Sequence, residues 1–409
     1  MTALRKLLAL FPTVFLLGLA SAGPSRFDFA SDKVSASAVY TNEAGFGFDL
    51  GSKVTCGAAS CSSNQPFFFS VRLPEGNYSV TLKLGDPAAA SVTTVKAESR
   101  RLMLEKVKTA PGEFVTRTFT VNIRTPRIAT GGEVKLKDRE LGVLHWDDKL
   151  TLEFNDAHPS VSAIEITAAE HAVTVYITGD STVTDQPREP WNSWGQMLPR
   201  FFKAGVAVAN HAESGESLKS SLHARRLDKV LSTIQAGDFL FIQFGHNDQK
   251  ERGEGVGAFT TYKADLKRYV AEARKRGAVP VLITPVNRRT FDDNGKITNS
   301  LGDYPDAVRQ AAAEENVALI DLNAMSKPFY EALGPENSKK AFVDNTHHNN
   351  YGSYELAKCI VEGIKSAKLG IAKFLVNDVP PFDPSHPDPL ESFGVPASPL
   401  STAIKPDGN

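Results

Sequence analysis

A serine hydroxyl is a poor nucleophile until a base takes its proton, a third group orients that base, and donors await the oxyanion. Four stretches of this chain carry those residue types in a telling order. Val173 to Ile177 is an apolar, β-branched run that closes in Thr178-Gly179-Asp180-Ser181. Such a run reads as a strand, and a serine at its carboxyl end stands where open α/β sheets hold their sites. Asn210-His211-Ala212-Glu213-Ser214-Gly215 follows a second apolar run. A glycine there lets a backbone N–H approach a ligand, although an ordinary turn would use the same residue. Gln243-Phe244-Gly245-His246-Asn247-Asp248 follows a third run. The Asn247 amide can donate to an oxyanion without changing protonation state, and a helix cap or Asx-turn is the competing use. Asp344-Asn345-Thr346-His347-His348 precedes a helical pattern. An acid and a histidine three apart can fold back in one turn, so that the carboxylate holds one ring nitrogen and frees the other. That spacing favours His347 as the base and leaves His348 as the alternative.

The elements that must position these residues follow from the hydrophobic pattern. From Val173, strand-like runs at Val206–Ala209, Phe239–Ile242, Val279–Ile283 and Val317–Ile320 alternate with helical segments. The best helix runs from Tyr262 to Arg276, with Leu266, Tyr269, Val270 and Ala273 on one stripe. Buried strands separated by amphipathic helices predict a parallel sheet covered on both faces over residues 172–374. Residues 23–168 read differently. Phe67 to Leu73, a Pro74-Glu75-Gly76-Asn77 turn and then Tyr78, Val80, Leu82 and Leu84 suggest a hairpin. Period-two alternation recurs at Phe119-Val121-Ile123, Leu150-Leu152-Phe154 and Ile164-Ile166, which predicts an all-β sandwich. Residues 375–409, rich in proline and poor in periodic apolar content, read as an extended or mobile tail.

The 409 residues carry a formal charge of −1, so no global basic surface points to nucleic acid. Arg5 and Lys6, the apolar run Leu7–Leu19 and Ala20-Ser21-Ala22 have the layout of a secretory signal peptide, residues 1–22. The run is too short to span a bilayer and contains Pro12, so the expectation is a secreted or periplasmic protein with no membrane attachment after cleavage. Of three cysteines, Cys56 and Cys61 could pair in an exported protein, and Cys359 falls on an apolar helical stripe. No His/Cys cluster has metal-ligand spacing, and neither metal nor cofactor is expected.

Gly-Asp-Ser, a loop Gly, Gly-x-Asn-Asp and Asp-x-x-His, each beside a strand, resemble the SGNH (GDSL-type) hydrolases over Val173 to Lys373. Ile-Thr-Gly-Asp-Ser-Thr-Val, Phe-Gly-His-Asn-Asp and Asp-Asn-Thr-His look like the rhamnogalacturonan acetylesterase branch of carbohydrate esterases, with Thr182 where the eponymous string has leucine. The resemblance implies a flavodoxin-like parallel sheet flanked by helices, preceded by a galactose-binding-like sandwich. It implies Ser181, Asp344 and His347 as catalytic residues, with Ser181, Gly215 and Asn247 forming the oxyanion hole. It also implies a secreted serine esterase that deacetylates pectic polysaccharide or oligosaccharide through an acetyl-serine intermediate. Acetylated xylan is an alternative substrate, and few apolar residues between the motifs suggest a lipid-receiving lid. A carbohydrate-binding protein with a dead esterase domain is the rival of another class, against which the intact Ser181, Asp344 and His347 speak. For the sugar itself, Trp191 and Trp194 could form a stacking platform or be buried as core. Arg288 and Arg289 could pair with a uronate carboxylate or be solvated at the surface.

Overall fold

The structure is a computed structural model describing residues 25–29 and 34–407. The signal-peptide expectation for residues 1–22 lies outside the described residues.

The N-terminal part is a sandwich of two antiparallel sheets. One has the order Ser25–Asp28, Ala163–Ala168, Gly76–Leu84, Val115–Ile123. The other has the order Phe46–Asp49, Phe67–Arg72, Lys149–Asn155, Ser91–Ala97, Arg101–Thr109. Alternate residues of both sheets (Phe67, Phe69, Val80, Leu82, Leu152 and Phe154 among them) meet in one core. The expected hairpin at Pro74 is a correction. Phe67–Arg72 pairs with Lys149–Asn155, whereas Gly76–Leu84 pairs in the opposite sheet. The Pro74 turn is a corner between sheets, pinned where the Tyr78 hydroxyl donates to the Pro74 carbonyl at 2.8 Å. Two successive strands with one apolar face each can bury them against one another across the sandwich, and local alternation does not distinguish this from pairing side by side. Cys56 and Cys61 are joined in a disulfide across a small hairpin, and Cys359 is a buried free thiol.

The second part holds a five-stranded parallel sheet in the order Val206–Asn210, Val173–Gly179, Phe239–Gln243, Val279–Ile283, Ala318–Ile320. Successive side chains point to opposite faces. Val175, Ile177, Phe241, Val281 and Ile283 pack under the helix Asn350–Ser366. Tyr176, Leu240, Ile242 and Leu282 pack under Lys263–Lys275 and Tyr304–Glu315. After Val206–Asn210 the chain crosses to the other side of Val173–Gly179. The order therefore reverses between Val173–Gly179 and Phe239–Gln243, and the crevice at their carboxyl ends is a topological switch point. The loops bearing Ser181 and Asn247 leave the sheet on either side of it.

Residues 375–407 are extended and packed along both parts. Lys96 Nζ donates to the Pro396 carbonyl and Asn155 Nδ2 to the Ala397 carbonyl. The buried Ser398 bonds Glu153 and Glu189, and Glu189 exchanges backbone bonds with Leu400 and Thr402. A proline-rich strand has few backbone donors, so side chains of the body supply them.

Candidate active site

Ser181 lies two residues beyond its strand, in a turn closed by Val183 and Thr184 N–H groups on the Asp180 carbonyl. Gly179 is required there, because a Cβ would come within 2.5 Å of the Gln243 carbonyl on the adjacent strand. Asp180 is buried and braces the loop. Its Oδ1 accepts from the Thr182 N–H and hydroxyl, and its Oδ2 lies 3.2 Å from His246 Nδ1. Gln186 Nε2 donates to the Ser181 carbonyl at 3.0 Å and to Ser214 Oγ at 3.2 Å, joining the serine turn to the Gly215 loop.

The four motifs converge. Ser181 Oγ is 2.8 Å from His347 Nε2, and His347 Nδ1 is 2.9 Å from Asp344 Oδ2. The other Asp344 oxygen accepts from the Thr346 and His347 backbone N–H groups, both at 2.7 Å. Burial pushes the Asp344 carboxyl up, but the hydrogen bond and charge of His347 with those two backbone donors outweigh it, holding the acid well below the usual carboxylate range. His348 is directed away. Its Nε2 lies 2.8 Å from the Tyr330 hydroxyl, and burial and the neighbouring His347 push its imidazole down to about 3. Of the two histidines, His347 is the one within reach of Ser181.

Gly215 has φ +76°, the left-handed region in which a side chain would be strained. Asn247 Nδ2 donates to the Glu216 carbonyl at 3.1 Å, while its Oδ1 accepts from Lys250 Nζ at 3.2 Å. These bonds fix the amide with its N–H₂ end toward the Gly215 loop. A preorganised donor of this kind contributes about 10²–10³ in kcat, so Asn247→Ala is expected to lower kcat by that factor with a small change in KM, measured on a soluble acetyl ester.

The substrate-contact candidates separate. The Trp191 ring stands 5.6 Å from the His347 ring, edge-on, at the site. Trp194 is a correction. It is wholly buried in the core beneath the sheet, its Nε1 donating to Gln243 Oε1 at 2.9 Å, and it offers no face to a sugar. Its sequence neighbours Met197, Leu198 and Phe201 share that core, which was the signal for burial. Trp194→Ala is expected to cost about 3–5 kcal/mol of stability in denaturant unfolding. Arg288 is half-buried and donates to the His246 carbonyl at 3.3 Å. Arg289 braces the acid–histidine loop, with Nη2 on Asn345 Oδ1 and its own N–H on the Asn345 carbonyl at 2.8 Å.

The N-terminal part reaches into the site through residues that sequence reasoning missed. Lys137 Nζ donates to the Ser214 carbonyl at 2.6 Å and lies 3.3 Å from Glu216. Glu140 takes two bonds from the buried Arg226, whose Nε is 3.5 Å from Glu216. Arg124 donates to the Asn210 carbonyl, and Arg101 Nε lies 2.9 Å from Asp185 Oδ2, whose other oxygen accepts from Asn210 Nδ2 at 2.8 Å. Arg100 pairs with Glu189 at 2.7 Å and donates to the Gln186 and Trp191 carbonyls. Burial, then repulsion from Arg101, pushes the Arg124 guanidinium down to about 9. The loop from Asn210 to Ser217 is thus held from the sandwich side.

Residues 177–353 match the GDSL-like lipase/acylhydrolase family. Rhamnogalacturonan acetylesterase RhgT of Bacillus subtilis is 42% identical over 222 residues, covering 50% of this chain and 95% of that protein. YesY of the same organism, described as a probable rhamnogalacturonan acetylesterase, is 39% identical over 213 residues, covering 50% and 98%. The crystal structure of B. subtilis YxiM aligns over 85% of this chain and 99% of that one, with 24% identity and a TM-score of 0.47. With the match to RhgT extending over nearly all of that protein, this chain belongs to the GDSL-like lipase/acylhydrolase family and is a carboxylic ester hydrolase.

Proposed function

We propose that the chain is an exported acetylesterase that removes acetyl groups from pectic polysaccharide, with rhamnogalacturonan as the polymer. The observation that carries the chemistry is the Ser181–His347–Asp344 chain of contacts at 2.8 and 2.9 Å. The polymer is supported by the names of the relatives that match over half of this chain, and export by the N-terminal sequence pattern. No helix of the described residues is long and apolar enough to cross a membrane.

In this reading Ser181 Oγ attacks the acetyl carbonyl as His347 Nε2 takes the hydroxyl proton. The oxyanion forms against the N–H groups of Ser181 and Gly215 and the Asn247 amide. The imidazolium then protonates the departing sugar oxygen, leaving acetyl-Ser181. Water, deprotonated by His347, attacks that ester, and collapse of the second tetrahedral intermediate returns the proton to Ser181 and releases acetate. Asp344 keeps the Nδ1 proton in place and stabilises the imidazolium without taking the proton.

Acetate release from acetylated rhamnogalacturonan, compared with acetylated xylan, tests the reading. A clear preference for the former is expected, and equal rates or turnover of xylan alone would discard the polymer assignment. The base must be neutral to act, so kcat should fall at acid pH. Asp344 does not set that limb. With its folded pKa depressed, its carboxylate stabilises the fold above the ordinary value near about 4, and that contribution is lost only as pH falls toward the lower folded value. A pH profile with an acid slope of one is expected, and a slope of two would mean that a second group is needed.

A further inference from the structure

Beside the reacting centre lies an open cleft of about 590 Å³, within the size range of sites that hold small ligands. It is lined by Gly215, Ser217 and Asn247, by the cations Lys137, Lys250 and Arg252, and by the anions Glu251 and Asp407. The two acids differ in kind. Glu251 is bound to the cleft wall itself: its Oε1 accepts from Ser217 Oγ at 2.8 Å and its Oε2 lies 3.9 Å from Lys219. Asp407 arrives from the tail. Lys405 Nζ is 3.2 Å from Asp344 Oδ2, and two residues on, Asp407 Oδ2 is 3.6 Å from Arg139 Nε. A Cβ on Gly215 would meet the Asp407 Cβ at 3.0 Å and Lys137 Nζ at 3.3 Å. Residues 405–407 therefore cross from the acid of the triad to the oxyanion loop and set a carboxylate among the cations. The Asp407 side chain remains 59% exposed, so it fills the place without sealing it.

We propose that this cleft is a carboxylate subsite, which receives a uronate carboxylate of the polymer while an acetyl group stands at Ser181, and that Asp407 holds the place when no polymer is bound. The inference rests on the acetylesterase reading for the polymer, and on the cleft alone for the carboxylate. Arg252 Nη1 is held by the Gln249 and Glu251 carbonyls, which leaves the Nε and Nη2 edge of the guanidinium to take a carboxylate in two parallel bonds, a charge match that a neutral sugar hydroxyl does not offer. Lys137 is anchored by Ser214 and Glu216, so it sets the position of the cleft wall as well as its sign. A substrate carboxylate entering the cleft displaces Asp407 from Arg139, after which the tail remains tethered at Ser398 and Leu400.

The test is calorimetric, on the full chain carrying Ser181→Ala so that binding is read without turnover. Unacetylated oligogalacturonate is compared with a neutral xylo-oligosaccharide of equal length. The acidic oligomer is expected to bind at least tenfold more tightly at low salt, with the gap closing as sodium chloride is raised. Adding Arg252→Gln should weaken the acidic oligomer about tenfold and leave the neutral one unchanged. Adding Asp407→Asn should instead tighten the acidic oligomer about threefold, since the internal competitor is gone. Equal binding of the two oligomers, or an acidic preference untouched by Arg252→Gln, would overturn the subsite. Acetate release separates this from the wider reading. Turnover of acetylated rhamnogalacturonan with equal oligomer binding removes the subsite alone. Acidic preference lost with Arg252→Gln, in a protein that deacetylates no polymer, keeps the subsite and removes the proposed function.

Discussion

Ser181→Ala is expected to lower kcat for acetate release by about 10⁶-fold, the scale found when a triad nucleophile is removed. The Ser181 hydroxyl lies 2.8 Å from His347 Nε2, and the substitution takes away the oxygen that forms the acyl bond. What survives is the oxyanion donors and substrate binding, which by themselves retain about 10³–10⁴ over the uncatalysed reaction. The fold should be little affected, because Ser181 is held by its backbone, through the Gln186 bond to its carbonyl and the turn at Asp180. Single-turnover acetate release, with thermal unfolding as the control, measures both. A loss under a hundredfold in a folded protein would remove the acyl-serine route. Because serine and histidine act as a unit, Ser181→Ala with His347→Ala should lose no more than the serine variant alone.

Asp344→Asn should cost about 10⁴ in kcat while leaving the loop in place, and the reason is which of its atoms is replaced. One Asp344 oxygen accepts from the Thr346 and His347 backbone N–H groups, so an asparagine must keep its oxygen there. Its amide N–H₂ then faces His347 Nδ1, where the carboxylate oxygen stood at 2.9 Å. An amide donor at Nδ1 forces the ring proton to Nε2, the nitrogen facing Ser181, and that nitrogen can no longer accept. The substitution therefore selects the wrong tautomer. Kinetics at raised pH distinguish this from simple loss of charge, because hydroxide can deprotonate the serine in place of the ring and should recover part of the rate. Activity within tenfold of the parent at neutral pH would show that Asp344 has no tautomer-setting role.

The residues at the reacting centre were legible because each sits in a short string whose geometry is local: a strand end for Ser181, a one-turn fold-back for Asp344 and His347. The parallel sheet was legible for a related reason, since runs such as Val173–Ile177 and Phe239–Ile242 are apolar on both faces. What local pattern does not encode is which distant surface a segment meets. Trp194 reads the same in sequence whether its ring faces a sugar or Gln243. Phe67–Leu73 and Tyr78–Leu84 alternate alike whether they pair with each other or oppose across a sandwich. Lys137, Glu140, Arg101 and Arg124 look like solvated charge, yet each is matched by a group on the other part of the chain. The tail beyond Phe374, poor in periodicity, is placed by hydrogen bonds to side chains from Lys96, Glu153, Asn155 and Glu189, positions too far apart in sequence to suggest a partner.

The ionic seam between the sandwich and the parallel sheet has a consequence for anyone who would cut this protein in two. Severing the chain near residue 170 and separating the parts would leave Asp185 and Glu189 without Arg101 and Arg100, and would take Lys137 from Glu216 and Glu140 from Arg226, though Glu216 and Arg226 would keep each other. Abandoning one member of a buried pair costs about 3–5 kcal/mol, a large share of what holds an ordinary domain together. The sandwich is thus a splint for the loop between Asn210 and Ser217, and transplanting it as a stand-alone module would export its arginines while leaving their counter-charges behind.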